Sequence, residues 1–222
     1  MRGVFLLVSP QQSDPATPRQ ERLKMAFTPA PGEQYTIRRK VLRIFGGAFH
    51  IYDSAGGIAG YCKQKAFRLR EAMVIYTGED QSTELLRIAT QQVIDFGATY
   101  TVSLPTGEVL GQLRRKGMKS TFIRDEWLIL DPTGREIGLL QEENATLALI
   151  RKWVDLASVL FPQRFALTTS DGTTIARFRQ HFNLFVYRLG ITIVQKDDQL
   201  DDLLVLATGC LITAIEGRQD SA

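Results

Sequence analysis

Lysine and arginine gather in three clusters: Arg38-Arg39-Lys40-Arg43, Lys63-Lys65-Arg68-Arg70 and Arg114-Arg115-Lys116-Lys119. Guanidinium and ammonium groups at that density suit one kind of chemistry, charge-assisted hydrogen bonding to phosphate or carboxylate oxygens. If neighbouring strands bring two clusters together, they form a surface for an anionic lipid head group or a protein partner. The plainer reading is the solvated outer wall of a β-structure, where alternate residues are polar in any case. A net charge of +3 over 222 residues is too small for a protein that neutralises many nucleic-acid phosphates, so no nucleic acid is expected as a partner.

Acidic residues crowd near the other end of the chain, where Asp197, Asp198, Asp201 and Asp202 precede a long apolar run. They are a weak candidate calcium site, because the stretch lacks the ligand spacing and bidentate glutamate of a 12-residue calcium loop. Negative charge at a helix start explains the same residues through the helix dipole. Cys62 and Cys210 have no metal-ligand spacing, and nothing in the sequence places His50 or His181 beside them, so neither a disulfide framework nor zinc is expected. No G-x-S-x-G elbow, H-E-x-x-H pair, Walker loop or G-x-G-x-x-G fingerprint occurs. His181, Asp171 and Ser170 make a triad only on paper, since one turn and strand give them no reason to converge. The expectation is a protein that is not an enzyme and carries no cofactor.

The elements that would position the basic clusters are hairpins. Four segments share a β-prone run, a turn containing glycine and a second β-prone run: 49–60, 100–111, 127–138 and 165–176. In each, Asp, Ser, Pro or Thr bends the chain and glycine takes a positive φ. Further β-prone runs at 61–71, 73–76, 85–89 and 92–96 raise the total to about ten to twelve strands. That number favours closure or two packed sheets over an open sheet with exposed edges. Residues 143–161 carry apolar side chains at helical intervals, with Asn144 as N-cap and Pro162 as stop, and are expected to form an amphipathic helix.

Residues 198–217 are the strongest signal. The run from Leu203 to Ile215 is apolar on nearly every helical face, so its surroundings must be apolar on all sides. At 1.5 Å per residue the run spans roughly 20 Å, against about 30 Å of bilayer hydrocarbon. Protein is therefore the expected host. Upstream, Met1 to Val8 is too short for a secretory signal, and five prolines fall before Tyr35. The expected organisation is a flexible extension over 1–34, with Met25 as an alternative start, one domain over 35–218, and a short tail over 219–222.

The turns, the Lys63-x-Lys65-x-Phe67-x-Leu69-Arg70 strand, the Phe182-Asn183 pair and the ending from Leu200 to Arg218 together resemble the Tubby C-terminal-like superfamily, in its LURP-one-related and phospholipid scramblase branch. The resemblance implies a mainly β fold: a barrel of about 12 antiparallel strands enclosing a hydrophobic C-terminal helix. It implies a non-catalytic binding module, cytoplasmic or peripheral at a membrane, that takes anionic phospholipid head groups or a protein partner. A scramblase-like, membrane-active protein is the alternative. The residues expected to bind lipid are Arg38, Arg39, Lys40, Lys63, Lys65, Arg68, Arg114, Arg115, Lys116 and Lys119. The chain departs from scramblases in having no cysteine cluster and no calcium-loop spacing.

Overall fold

The computed structural model describes residues 27–40, 47–64, 72–90, 98–116, 126–143, 163–181 and 186–219. Twelve strands follow one another: β1 (Tyr35–Lys40), β2 (Gly47–Asp53), β3 (Ile58–Gln64), β4 (Met73–Tyr76), β5 (Glu84–Ala89), β6 (Thr99–Ser103), β7 (Val109–Arg115), β8 (Glu126–Leu130), β9 (Glu136–Glu142), β10 (Arg164–Thr169), β11 (Thr174–His181) and β12 (Val186–Ile193). Each pairs antiparallel with its sequence neighbours, and β1 pairs with β12 to close the barrel. Closure leaves no sheet edge, one of the two arrangements that the strand count favours.

The four expected hairpins are β2–β3, β6–β7, β8–β9 and β10–β11. One turn geometry builds all four. At the first, the Gly56 N–H donates to the Asp53 carbonyl at 3.0 Å and the Asp53 N–H donates to the Gly57 carbonyl at 2.9 Å. Gly56, Gly107, Gly134 and Gly172 occupy the same turn position with φ between +81° and +90°. A residue with a Cβ is strained there. A bulge beside each turn shifts the register by one residue and adds the twist that a barrel wall needs. The expected strand at 92–96, the end of the run at 61–71 and all but the first residue of the amphipathic helix expected at 143–161 lie outside the described residues.

Alternation along the strands sends one set of side chains inward, among them Ile37, Phe49, Ile75, Leu113, Leu140 and Leu189, each at most 1% exposed. They meet α1 (Asp202–Gln219), whose residues from Leu204 to Ile215 are all buried. The helix comes so close to the wall at Gly209 that a Cβ there would lie 2.6 Å from Ile191 Cδ1. Among the described residues of the helix, two polar side chains are buried, and both are satisfied locally. Thr208 donates its hydroxyl to the Leu204 carbonyl at 2.8 Å, and Thr213 to that of Gly209 at 2.9 Å. Among the described residues, no helix is long and apolar enough to cross a membrane.

The helix starts at Asp202, four residues later than its sequence suggests. The Asp197 carboxylate accepts from the N–H groups of Gln199 and Leu200, making a side-chain turn. Asp201 then caps the helix, accepting from Leu203 N–H at 2.7 Å and Leu204 N–H at 3.1 Å. At the other end the helix runs on past Gly217 to Gln219.

The packed chain also begins earlier than Tyr35. Residues 27–34 lie against the outer wall, where the Phe27 ring stacks on Tyr52 at 4.9 Å and Glu33 is only 6% exposed. The flexible extension expected over 1–34 therefore does not include this stretch.

Candidate anion-binding surface

Strand direction decides where the basic clusters go. β1, β3 and β7 all run away from the described hairpin turns, and each carries its cluster at its far end. The described members of all three clusters thus lie toward the same end of the barrel. The connections at that end (41–46, 65–71, 91–97, 117–125, 144–162 and 182–185) are the ones outside the described residues, and Lys65, Arg68 and Lys119 fall within them. β1 and β7 are six strands apart around a ring of twelve, so their clusters stand on opposite sides of that end.

The individual side chains differ. Lys63 and Arg114 are exposed and form no ion pair among the described residues. Lys116 is exposed and pairs with Glu126 at 3.1 Å. Arg115 packs on Trp127, with its guanidinium carbon 5.9 Å from the ring centroid. Arg39 departs from the expectation of a strand surface, because it is 7% exposed and shares its parity with the inward-facing Ile37. A run of Arg38, Arg39 and Lys40 on one strand must send its middle member the other way. Lys40 is the last residue of β1, and its side chain lies outside the described set.

The opposite end is acidic. Asp53, Glu79, Asp80, Glu108, Asp131 and Asp171 sit in or beside the described turns. Asp131 is held down to about 2 because the Thr133 hydroxyl and backbone N–H groups donate to its carboxylate. The Asp171 carboxyl is lowered in the same way by Thr169 and Thr173, so it serves its own turn and not His181. The weak calcium candidates Asp197 and Asp201 spend oxygens on backbone N–H groups, and Asp202 meets Lys196 at 3.3 Å. Among the described residues, no group of three potential ligands converges. The Cys62 thiol, buried in the wall, is pushed up to about 12 by loss of solvent.

The X-ray structure of a protein from Arabidopsis thaliana superposes with a TM-score of 0.43 at 14% identity, covering 81% of this chain and 90% of the plant chain. No family model matches the sequence, and neither does any curated protein.

One cluster was not visible in the sequence. On the outer wall, His181 of β11 stands opposite Arg188 of β12, and Arg188 stands opposite Arg38 of β1. Glu33 drops onto this row. Its carboxylate accepts from the Thr36 hydroxyl at 2.8 Å and the Ala30 N–H at 3.2 Å, pairs with His181 Nε2, and lies 3.6 Å from the Arg188 guanidinium. Burial works to raise the Glu33 carboxyl, but the His181 and Thr36 contacts outweigh it and leave the group below its ordinary value. Gly190 makes room for it, since a Cβ at that position would overlap the carboxylate. The only sequence signal was the pair of basic residues and one histidine at matching outward positions on three strands.

Proposed function

We propose that this protein is a non-catalytic binding module that docks the basic end of its barrel on an anionic phospholipid surface. The observation that carries the reading is the common direction of β1, β3 and β7, which delivers the described members of three basic clusters to one end while acidic turns occupy the other. Clusters on opposite sides of that end are too widely placed to share one small head group, whereas an extended charged surface meets them together. Each lysine or arginine near such a surface contributes about 1 kcal/mol, so a few together give measurable affinity that weakens as salt screens it. The resemblance to the LURP-one-related and scramblase branch of the Tubby C-terminal-like superfamily supports the same reading through its implied barrel and enclosed helix. On this reading the protein is cytoplasmic and peripheral at the membrane, with an acidic protein surface as the other partner class that the basic end would accept.

Vesicle sedimentation tests it. The parent chain is expected to pellet with phosphatidylcholine vesicles containing about a third phosphatidylserine, and to stay in solution with phosphatidylcholine alone. Reversing Lys63 and Arg114 to glutamate is expected to weaken binding by about tenfold or more. Absence of parent binding at roughly 0.1 M salt overturns the proposal.

A further inference from the structure

The row of His181, Arg188 and Arg38 on the outer wall sets two guanidinium groups beside the single carboxylate of Glu33. Arg38 and Arg188 are direct cross-strand partners. Like charges so placed repel and destabilise a sheet unless something negative answers them. One carboxylate, that of Glu33, answers Arg188 alone, and incompletely. It lies 3.6 Å from the Arg188 guanidinium, beyond a good hydrogen bond, and the buried Arg188 Nε makes none among the described residues. Arg38 has no ion pair among the described residues; its guanidinium rests on the Phe27 ring at 4.5 Å. The neighbouring histidine in the row, His50, is already taken by Glu79.

We propose that this wall, formed by His181, Arg188, Arg38 and Thr36, is a binding site for a phosphate group, and that Glu33 fills it as an internal stand-in. A phosphate brings more charge than a carboxylate and an additional oxygen. One face of it reaches Thr36 and His181 where Glu33 now sits, and another reaches Arg188 Nε and Arg38, to which arginine forks are suited. Entry requires residues 27–34 to lift. That segment is held by the Phe27 ring against Tyr52 and two guanidinium groups, by the Glu33 carboxylate, and by Gln34, whose N–H donates to the Ile191 carbonyl at 2.9 Å and whose side-chain oxygen accepts from Ile193 N–H at 2.7 Å. Because the stand-in is tethered, it competes at high effective concentration and lowers the affinity of the parent chain for an external anion. The site stands on the barrel wall toward the basic end and shares Arg38 with a docking cluster, whereas Thr36, His181 and Arg188 belong to the wall site alone.

The test is calorimetric titration of the full chain with inorganic phosphate, beside sedimentation with phosphatidic-acid vesicles. Glu33→Gln removes the competing charge and is expected to bind phosphate about tenfold more tightly than the parent. Phe27→Ala loosens the segment without touching the carboxylate and is expected to shift affinity the same way, which guards against a folding defect in the first variant. Arg188→Gln added to either is expected to abolish the gain. Phosphate binding in solution with this pattern assigns a soluble phosphate source; vesicle binding alone, lost on Arg188→Gln, assigns a lipid head group. Folded Glu33→Gln that takes up no phosphate at about 10 mM and no vesicles, or vesicle binding indifferent to Arg188→Gln, overturns the site.

Discussion

Arg38 and Arg188 face one another across β1 and β12, and both guanidinium groups lie against the ring of Phe27, at 4.5 and 4.6 Å from its centroid. This contact anchors residues 27–34 to the barrel. Each cation–ring contact is worth about 0.5–1 kcal/mol at an exposed site. Phe27→Ala should therefore lower stability by about 1–2 kcal/mol, read as a shift in the urea midpoint. An unchanged midpoint would show that the segment is not packed in solution.

Acid should release the same segment through Glu33. Its carboxyl is lowered in the folded protein from an ordinary 4.5, so the folded state holds the ionised form more tightly than the unfolded chain does. The resulting stability is fully present above the unfolded value and is lost as pH falls through the folded one. Denaturation of the parent and of Glu33→Gln, compared between about pH 7 and pH 3, should show a gap at neutral pH that closes in acid. A gap that persists at the acid limit would contradict the assignment.

The enclosed helix makes the sharpest stability prediction. Leu206 is 1% exposed, and an aspartate there would be an unpaired charge in the barrel core. Leu206→Asp should abolish cooperative folding by circular dichroism. Gly209→Val should cost about 1–3 kcal/mol, because the added side chain meets Ile191, Ile37 and Phe178. Normal melting by the aspartate variant would remove the helix from the interior.

Asp201 and Asp198 separate capping from general charge. Asp201 accepts two N–H groups of the first helical turn, whereas Asp198 is exposed and accepts no hydrogen bond among the described residues. Asp201→Ala should cost about 1 kcal/mol and Asp198→Ala less than about 0.5, by thermal melting. Equal losses would mean that the dipole alone, and not the cap, sets the contribution.

Most of the barrel was legible in the sequence because its signals are local. A bending residue followed by glycine fixes each hairpin within five residues, and the all-round apolarity of 203–215 leaves protein as the host that fits. The helix start was misread because four aspartates look alike in sequence, while only geometry shows that Asp197 makes a turn and Asp201 the cap. The inward placement of Arg39 follows from strand parity once β1 is known to start at Tyr35, but a basic cluster read as a block conceals it. Glu33 could not be found at all. Its partner His181 is 148 residues away, and no local pattern marks a contact made by closure of the first strand on the last.

Which end of the barrel meets a membrane is the most direct test of the functional account. Cys62 and Cys210 are buried, and burial raises both thiols, so a single introduced cysteine can carry a fluorophore without background labelling. Ala48 lies near the basic end, opposite Lys63, and Thr106 lies in a hairpin turn at the acidic end. With phosphatidylserine vesicles carrying a quencher lipid, the account predicts quenching of a probe at Ala48→Cys and none at Thr106→Cys. Quenching at Thr106→Cys alone, or at neither position, would contradict it.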